Sequence, residues 1–246
     1  MTPLDVLAIG AHPDDVELGC GGTLAGLVAQ GRRVGILHLT RGERGTRGTP
    51  EEREIEARAA GEALGVHVVD FLDCGDGALR TGEAEEDGLI ALLRRYRPEI
   101  LIGPSPSDRH PDHGRAHRLV ADAAFYSGLR NRAREEGVEP HRPAAVYSYM
   151  QHDPFEPSFI VDVAAHWEKK VASLAAYGSQ LYQGDEDAQR DEPQTKVSSP
   201  EFSRAMVGRA QHFGLMIGAA YGEPFWSRLP LAVRDVFAVT SDGPLR

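Results

Sequence analysis

The sequence predicts a doubly wound α/β fold, a Rossmann-like and mostly parallel sheet in a single domain over residues 1–246, with a less regular C-terminal third. Three observations carry this reading. Apolar, β-branched runs alternate with helical periodicity through the first two-thirds of the chain. Two of those runs, at residues 4–9 and 99–103, end abruptly in clusters of His and Asp. Finally, 246 residues, 41% hydrophobic and 26% charged, suffice for one large core or at most two small ones, and the even alternation favours one.

Residues 6–11 read as the first strand. Pro13 fixes its own φ and pushes His12 toward extended backbone, so His12 closes the strand while Asp14 and Asp15 fall in the turn and helix start behind it. Helical spacing from Val16 runs to about Gly31. Residues 33–40 form a second strand through Val34, Ile36, Leu37 and Leu39. After a loop rich in Gly and Arg at 41–50, Thr49 caps and Pro50 opens a helix whose first turn suits Glu51 and Glu52; it runs to Leu64 and stops at Gly65. Strand three covers 66–72, followed by a loop with Cys74, Gly75 and Gly77. A helix over 83–96 buries Leu89, Ile90, Leu92 and Leu93, and strand four follows at 99–103. Behind the second His/Asp cluster a helix runs through Ala116, Leu119, Val120 and Ala123. Residues 145–150 and 159–163 then read as strands, 166–177 and 201–217 as helices. The polar stretch 184–199 reads as a flap over the site or a subunit contact. Tyr182, Tyr221, Phe225 and Trp226 read as core aromatics first and interface aromatics second.

Composition excludes some functions. A formal net charge of -10, with no basic tract interleaved with aromatics, argues against a nucleic-acid surface. Cys20 and Cys74 are the only cysteines, no signal-peptide pattern opens the chain, and no segment approaches the roughly 20 apolar residues that cross a bilayer. The expectation is a soluble, cytoplasmic protein without membrane insertion.

In a doubly wound sheet the ligand sits beyond the carboxyl ends of the strands, where strand order reverses. Strands one and four flank that point, so the clusters at 12–15 and 108–113 should line one crevice. Two His and one Asp with an open fourth position make a catalytic zinc site, and His12 and His113 are the strongest ligand candidates. A lone His-Pro-Asp-Asp also reads as a turn in which Asp15 caps the next helix; two such clusters at adjacent strand ends favour the metal. His38, His67, His117, His141, His152, His166 and His212 read as ordinary surface, core or partner histidines. Gly19, Gly21 and Gly22 raise the alternative of a dinucleotide fingerprint. The position of its third glycine is Leu24, however, and the preceding carboxylates would repel a pyrophosphate. These glycines read instead as close helix packing behind the site.

Ala11-His12-Pro13-Asp14-Asp15 with Glu17 and Gly21-Gly22-Thr23, then His110-Pro111-Asp112-His113, resemble the two signatures of the LmbE-like (PIG-L) zinc N-deacetylases. Thr40-Arg41-Gly42-Glu43-Arg44-Gly45-Thr46-Arg47-Gly48, Arg53, Glu56 and Ser179-Gln180 agree, so the resemblance spans residues 4 to about 225. Within the family the chain is most similar to the bacillithiol-type deacetylases, which remove acetate from N-acetylglucosaminyl malate. The resemblance implies zinc, with ferrous iron as the alternative, held by His12, Asp15 and His113. It implies Asp14 as general base, a protonated His110 stabilising the oxyanion or competing for the acid role, and Asp112 holding His110 and raising its pKa. Arg53 and Glu43 match substrate-contacting positions. Arg53, with Arg109 and with Arg41, Arg44 and Arg47, would form a cationic mouth for an anionic group such as malate. The implied partners are a small amino-sugar conjugate and, from hexameric family members, further copies of the chain in a homo-oligomer. The alternatives are a deacetylase of another N-acetylglucosamine conjugate or chitooligosaccharide, a non-hydrolytic sugar-nucleotide-binding protein, and a metal-dependent esterase or phosphoesterase.

Overall fold

Seven strands form one sheet in the structure, a computed structural model that describes residues 2–133, 135–184, 191–233 and 235. β1 (Val6–Gly10), β2 (Val34–His38), β3 (Val68–Phe71), β4 (Ile100–Gly103) and β5 (Ala145–Tyr149) are mutually parallel. β6 (Phe159–Asp162) and β7 (Gly222–Ser227) complete the sheet, with β7 antiparallel between β5 and β6. The spatial order β3-β2-β1-β4-β5-β7-β6 puts β2 on one side of β1 and β4 on the other. Strand order therefore reverses at β1 and β4, and the two His/Asp clusters leave the sheet side by side.

Period-two alternation splits the core into two layers. Leu7, Ile9, Leu37 and Leu101 pack with Leu89, Ile90 and Leu93 of α3 (Glu83–Tyr96) and Leu119 and Val120 of α4 (Pro111–Tyr126). Val6, Ala8, Val34, Ile36 and Ile102 face the other way, onto Cys20 and Leu24 of α1 (Asp15–Ala29) and Leu64 of α2 (Pro50–Leu64). α5 (Trp167–Ala175) closes over α1 and α2, and α6 (Pro200–Ile217) packs on β7. Thr49 accepts from Glu52 N at 3.1 Å, and Gly65 ends α2 in the left-handed region, as the sequence predicts. The fifth helix is shorter than expected, starting at Trp167 after a 3-10 turn and ending at Ala175. β7 is the strand the sequence reading lacks. Of the predicted flap, residues 185–190 lie outside the described residues; beyond them Glu192 accepts from Gly48 N at 2.9 Å. No helix among the described residues is long and apolar enough to cross a membrane.

α1 is two helices joined at Cys20, whose φ of -148° and ψ of 19° break the hydrogen-bond ladder. The broken ends are satisfied from far along the chain. Glu223 of β7 accepts from Gly22 N (3.0 Å), Thr23 N (2.7 Å) and Thr23 Oγ1 (2.6 Å), which caps the second half. Buried Lys170 donates to the freed Leu18 carbonyl at 2.9 Å and to Glu223 at 2.6 Å. Gly19 has no room for a side chain: an added Cβ would lie 2.2 Å from the ring of Tyr149, whose hydroxyl donates to Ile9 O. Gly19 thus serves close packing, as does Gly22, whose added Cβ would lie 2.8 Å from Val163, whereas Gly21 has room for one, and the first turn of α1 is held in a fixed direction behind His12.

Candidate metal and catalytic site

The turn after β1 is strained where it meets the site. Asp14 adopts φ 95°, a left-handed conformation uncommon for a residue with a Cβ, and as the N-cap of α1 its side chain makes no capping bond. Its buried carboxylate lies 3.7 Å from Arg53 Nη2. Burial lifts its pKa to about 7, partly opposed by Arg53 and reinforced by Asp15. A carboxylate in that range both takes and returns a proton near neutrality.

Asp15 lies between the two clusters. Its Oδ2 accepts from the His12 amide at 2.9 Å and stands 3.5 Å from His12 Nδ1; its Oδ1 is 3.4 Å from His113 Nε2 and accepts from Gln151. The rings of His12, His110 and His113 pack with centroids 4.8, 5.0 and 5.6 Å apart. Nitrogens of these three lie within 4.8 Å of one another, and donor atoms of His12, Asp76 and Asp112 form a second such group. Behind the imidazoles stand further carboxylates: Asp76 3.0 Å and Asp112 3.6 Å from His12 Nε2, and Asp108 3.0 Å from His113 Nδ1.

The cluster is built to hold positive charge. Burial alone would lower the pKa of both His12 and His113, yet Asp112, Asp15 and Asp76 hold His12 well above its ordinary value, and Asp15 and Asp108 lift His113 to about 9. Asp15, despite its burial, is held well below the carboxylate range by His113 and His12. Imidazole nitrogens and a carboxylate are a donor set for zinc or a similar borderline cation. His12 Nε2 and Asp112 Oδ2 are also buried without an aligned hydrogen-bond partner. The residues present fit a divalent metal.

Several expected roles are placed differently. The Asp112 carboxylate does not hold the His110 ring: Oδ1 accepts from Leu79 N (3.1 Å) and Arg115 Nη1 (2.7 Å), and Oδ2 faces His12. His110 is instead the N-cap of α4, its Nδ1 accepting from the Asp112 amide at 3.3 Å, which leaves its proton on Nε2. Burial, then His12 and His113, lower its pKa, so His110 is a neutral donor rather than an imidazolium. Arg53 is no mouth residue. It is 5% exposed and donates to Pro13 O (2.7 Å) and Gly42 O (3.3 Å), bracing the turn that carries Asp14. Its space exists because position 42 is glycine: a Cβ there would lie 1.7 Å from Arg53 Nη1. Glu43 is exposed and accepts from Arg41 N (3.1 Å) and Asp76 N (2.8 Å), tying its loop to the one after β3. Arg41 pairs with Glu54 and Asp73, and Arg47 is buried, which leaves Arg44 and Arg109 exposed.

Sequence reasoning missed Asp76, Asp108, Gln151, His38 and His152. His38 ends β2 with Nδ1 3.2 Å from His12 O, and burial lowers its pKa to about 4, so it is a neutral support. His152 stacks on His113 with centroids 5.8 Å apart. Each of the five lies at or just beyond the carboxyl end of a strand, the signal by which they could have been found.

With this geometry in place, relatives identify the family. The family model described as PIG-L, GlcNAc-PI de-N-acetylase, matches residues 7–124, which include both clusters. A diacetylchitobiose deacetylase of Thermococcus kodakarensis is 34% identical over 72% of this chain and 70% of its own. The chain belongs to the PIG-L family. This PIG-L protein also matches the solved structure of a conserved protein of Thermus thermophilus at 39% identity and a TM-score of 0.83, covering 94% of this chain and 97% of that one. A 4-oxalmesaconate hydratase of Pseudomonas putida is 29% identical over 71% of this chain and 73% of its own. Relatives in this range thus differ in reaction, and the site's own chemistry has to carry the assignment.

Proposed function

We propose that this PIG-L protein is a zinc-dependent amide hydrolase that removes the acetyl group of an N-acetylglucosamine conjugate, giving acetate and a free amine. The observation that carries the reading is a buried carboxylate, Asp14, held in a strained turn next to a His/Asp cluster that attracts a cation. His12, Asp15 and His113 would hold the metal, and when bound it supplies Lewis acidity to water and to the amide carbonyl. Asp14 takes the proton of the attacking water as its oxygen bonds to the carbonyl carbon. His110 donates its Nε2 proton in a hydrogen bond to the carbonyl oxygen as charge develops there, which a neutral imidazole can do. Asp14 then returns its proton to the nitrogen as the carbon–nitrogen bond breaks. Arg53 holds the Asp14 turn through these steps.

N-acetylglucosaminyl malate is the substrate that the family resemblance names. Arg44 and Arg109 are the exposed arginines that would meet its carboxylates. A panel of N-acetylglucosamine conjugates, including the malate and chitobiose forms, tests the assignment by free acetate and free amine. Asp14→Asn is expected to keep stoichiometric zinc and lose about 100-fold to 10,000-fold in turnover, the usual worth of a general base. Near-wild-type turnover with zinc bound would remove Asp14 from the mechanism. The hydratase relative motivates a second reading, water addition to an unsaturated acid at the same cluster. Product separates the two, since hydration releases no acetate.

A further inference from the structure

We infer that Asp108 is the positioning residue that sets the metal affinity of the site, because its one carboxylate steadies two of the three ligands from two different loops. The inference rests on the reading that His12, Asp15 and His113 carry the metal. Asp108 has a side chain 1% exposed, and four N–H groups converge on it. Oδ1 faces His113 Nδ1 (3.0 Å) and accepts from His110 N (3.1 Å); Oδ2 accepts from His152 N (2.9 Å) and Asp153 N (3.2 Å). Each oxygen takes two donors, so both are fully used.

Two consequences follow for the ligands. A carboxylate facing Nδ1 of His113 fixes the proton there, which leaves Nε2 as the ring's lone pair. Nε2 is the nitrogen that faces Asp15 at 3.4 Å. The second consequence runs through the backbone. His152 and Asp153 directly follow Gln151, whose side-chain amide donates to Asp15 Oδ1 and whose carbonyl accepts from half-buried Arg209. Gln151 is therefore gripped by Asp108 on one side and Arg209 on the other. Its Oε1 has no partner, so only its donating half is used, and that half orients Asp15. Outer partners of this kind typically change metal affinity by about 10-fold to 100-fold when removed.

The test measures zinc affinity of the full chain by competition with a chromophoric chelator, together with the visible spectrum of the cobalt-substituted protein and the thermal unfolding of the metal-free form. Asp108→Ala should weaken zinc binding by about 10-fold to 100-fold and shift the cobalt bands. Asp153→Ala, which keeps the backbone N–H and removes only an exposed side chain, should leave affinity within about twofold of wild type. Gln151→Ala should cost less when Asp108 is already alanine than when it is present, because the grip that places Gln151 is then gone. Should Asp108→Ala not fold, Asp108→Asn preserves the shape but turns one oxygen into a donor facing two N–H groups, and the same loss is expected of it. Affinity unchanged within about threefold in a folded Asp108 variant overturns the inference. Strictly additive losses for Asp108→Ala and Gln151→Ala overturn the link through residues 152 and 153. Absence of stoichiometric zinc in the wild-type chain overturns the metal reading itself, and the inference with it.

Discussion

Glu17 is fully buried behind Asp14 and Asp15, with one oxygen accepting from the Tyr177 hydroxyl at 3.0 Å and the other without a hydrogen-bond partner. Burial raises its pKa to about 8, against its own backbone amide and Tyr177 and with Asp14 and Asp15 reinforcing it. The folded chain therefore keeps this proton where the unfolded chain, with an ordinary value of 4.5, has lost it. Stability from Glu17 is complete below the unfolded value and is lost as pH rises toward about 8, at up to about 1.4 kcal/mol per pH unit between the two. Glu17→Gln keeps the Tyr177 contact and has no proton to lose. In metal-free protein its urea midpoint should fall less than wild type between about pH 5 and about pH 7.5. Equal slopes would show that Glu17 ionises freely in the fold. Arg53 gives a second expectation at this scale. Since it braces Pro13 and Gly42 rather than facing the mouth, Arg53→Ala should lower turnover on N-acetylglucosaminyl malate and on plain N-acetylglucosamine alike. A loss confined to the malate conjugate, read from paired kinetics, would return Arg53 to substrate recognition.

The broken helix α1 shows how a distant strand aims the turn that carries Asp14 and Asp15. Glu223 serves two backbone amides and the Thr23 hydroxyl, and Lys170 joins it to the Leu18 carbonyl, all in a buried setting. Removing one member strands the others without water. Glu223→Ala should therefore cost about 3–5 kcal/mol in chemical denaturation, as for a broken buried pair, whereas Glu201→Ala, at an exposed ion pair, should cost under about 1 kcal/mol. A small loss at Glu223 would mean that water enters the break at Cys20. Elements written in local chemistry were legible in the sequence: Thr49, Pro50 and Gly65 bound α2, and an amphipathic stripe sets α3. The two His/Asp clusters were legible because β1 and β4 are apolar runs that stop shortly before them. β7 was not, since Gly222 and Pro224 weaken its pattern and its pairing comes from β5 and β6, sixty residues or more earlier. Asp108 and Arg53 failed for another reason. Sequence gives a side chain's charge, but whether it meets a ligand, a backbone carbonyl or water depends on what the fold brings opposite.

Across the whole molecule, loops after β1, β3, β4 and β5 converge on one point, and what they bring is carboxylates and imidazoles rather than apolar groups. Asp14, Asp15, Asp76, Asp108 and Asp112 surround His12, His110 and His113, while the apolar layers on either side of the sheet are complete without them. In the metal-free chain, protons on His12 and His113 offset the carboxylates, as their raised pKa values require. Zinc bound at His12 and His113, as proposed, would have to displace those protons, so its affinity should fall as pH falls. Free zinc at about 100 times its Kd should add about 2.7 kcal/mol to stability, and at about 2–4 °C per kcal/mol for a chain of this size the melting temperature should rise by about 5–11 °C. Calorimetry after chelation and again after restoring zinc measures the difference. The rise should shrink between about pH 7.5 and about pH 6 at fixed total zinc, and far-UV circular dichroism should be unchanged by chelation, because the sheet and its helices do not rest on the site. A rise independent of pH would mean that zinc binds without protons leaving His12 and His113. In that case the charge balance drawn for His12 and His113 fails, even with the metal in place.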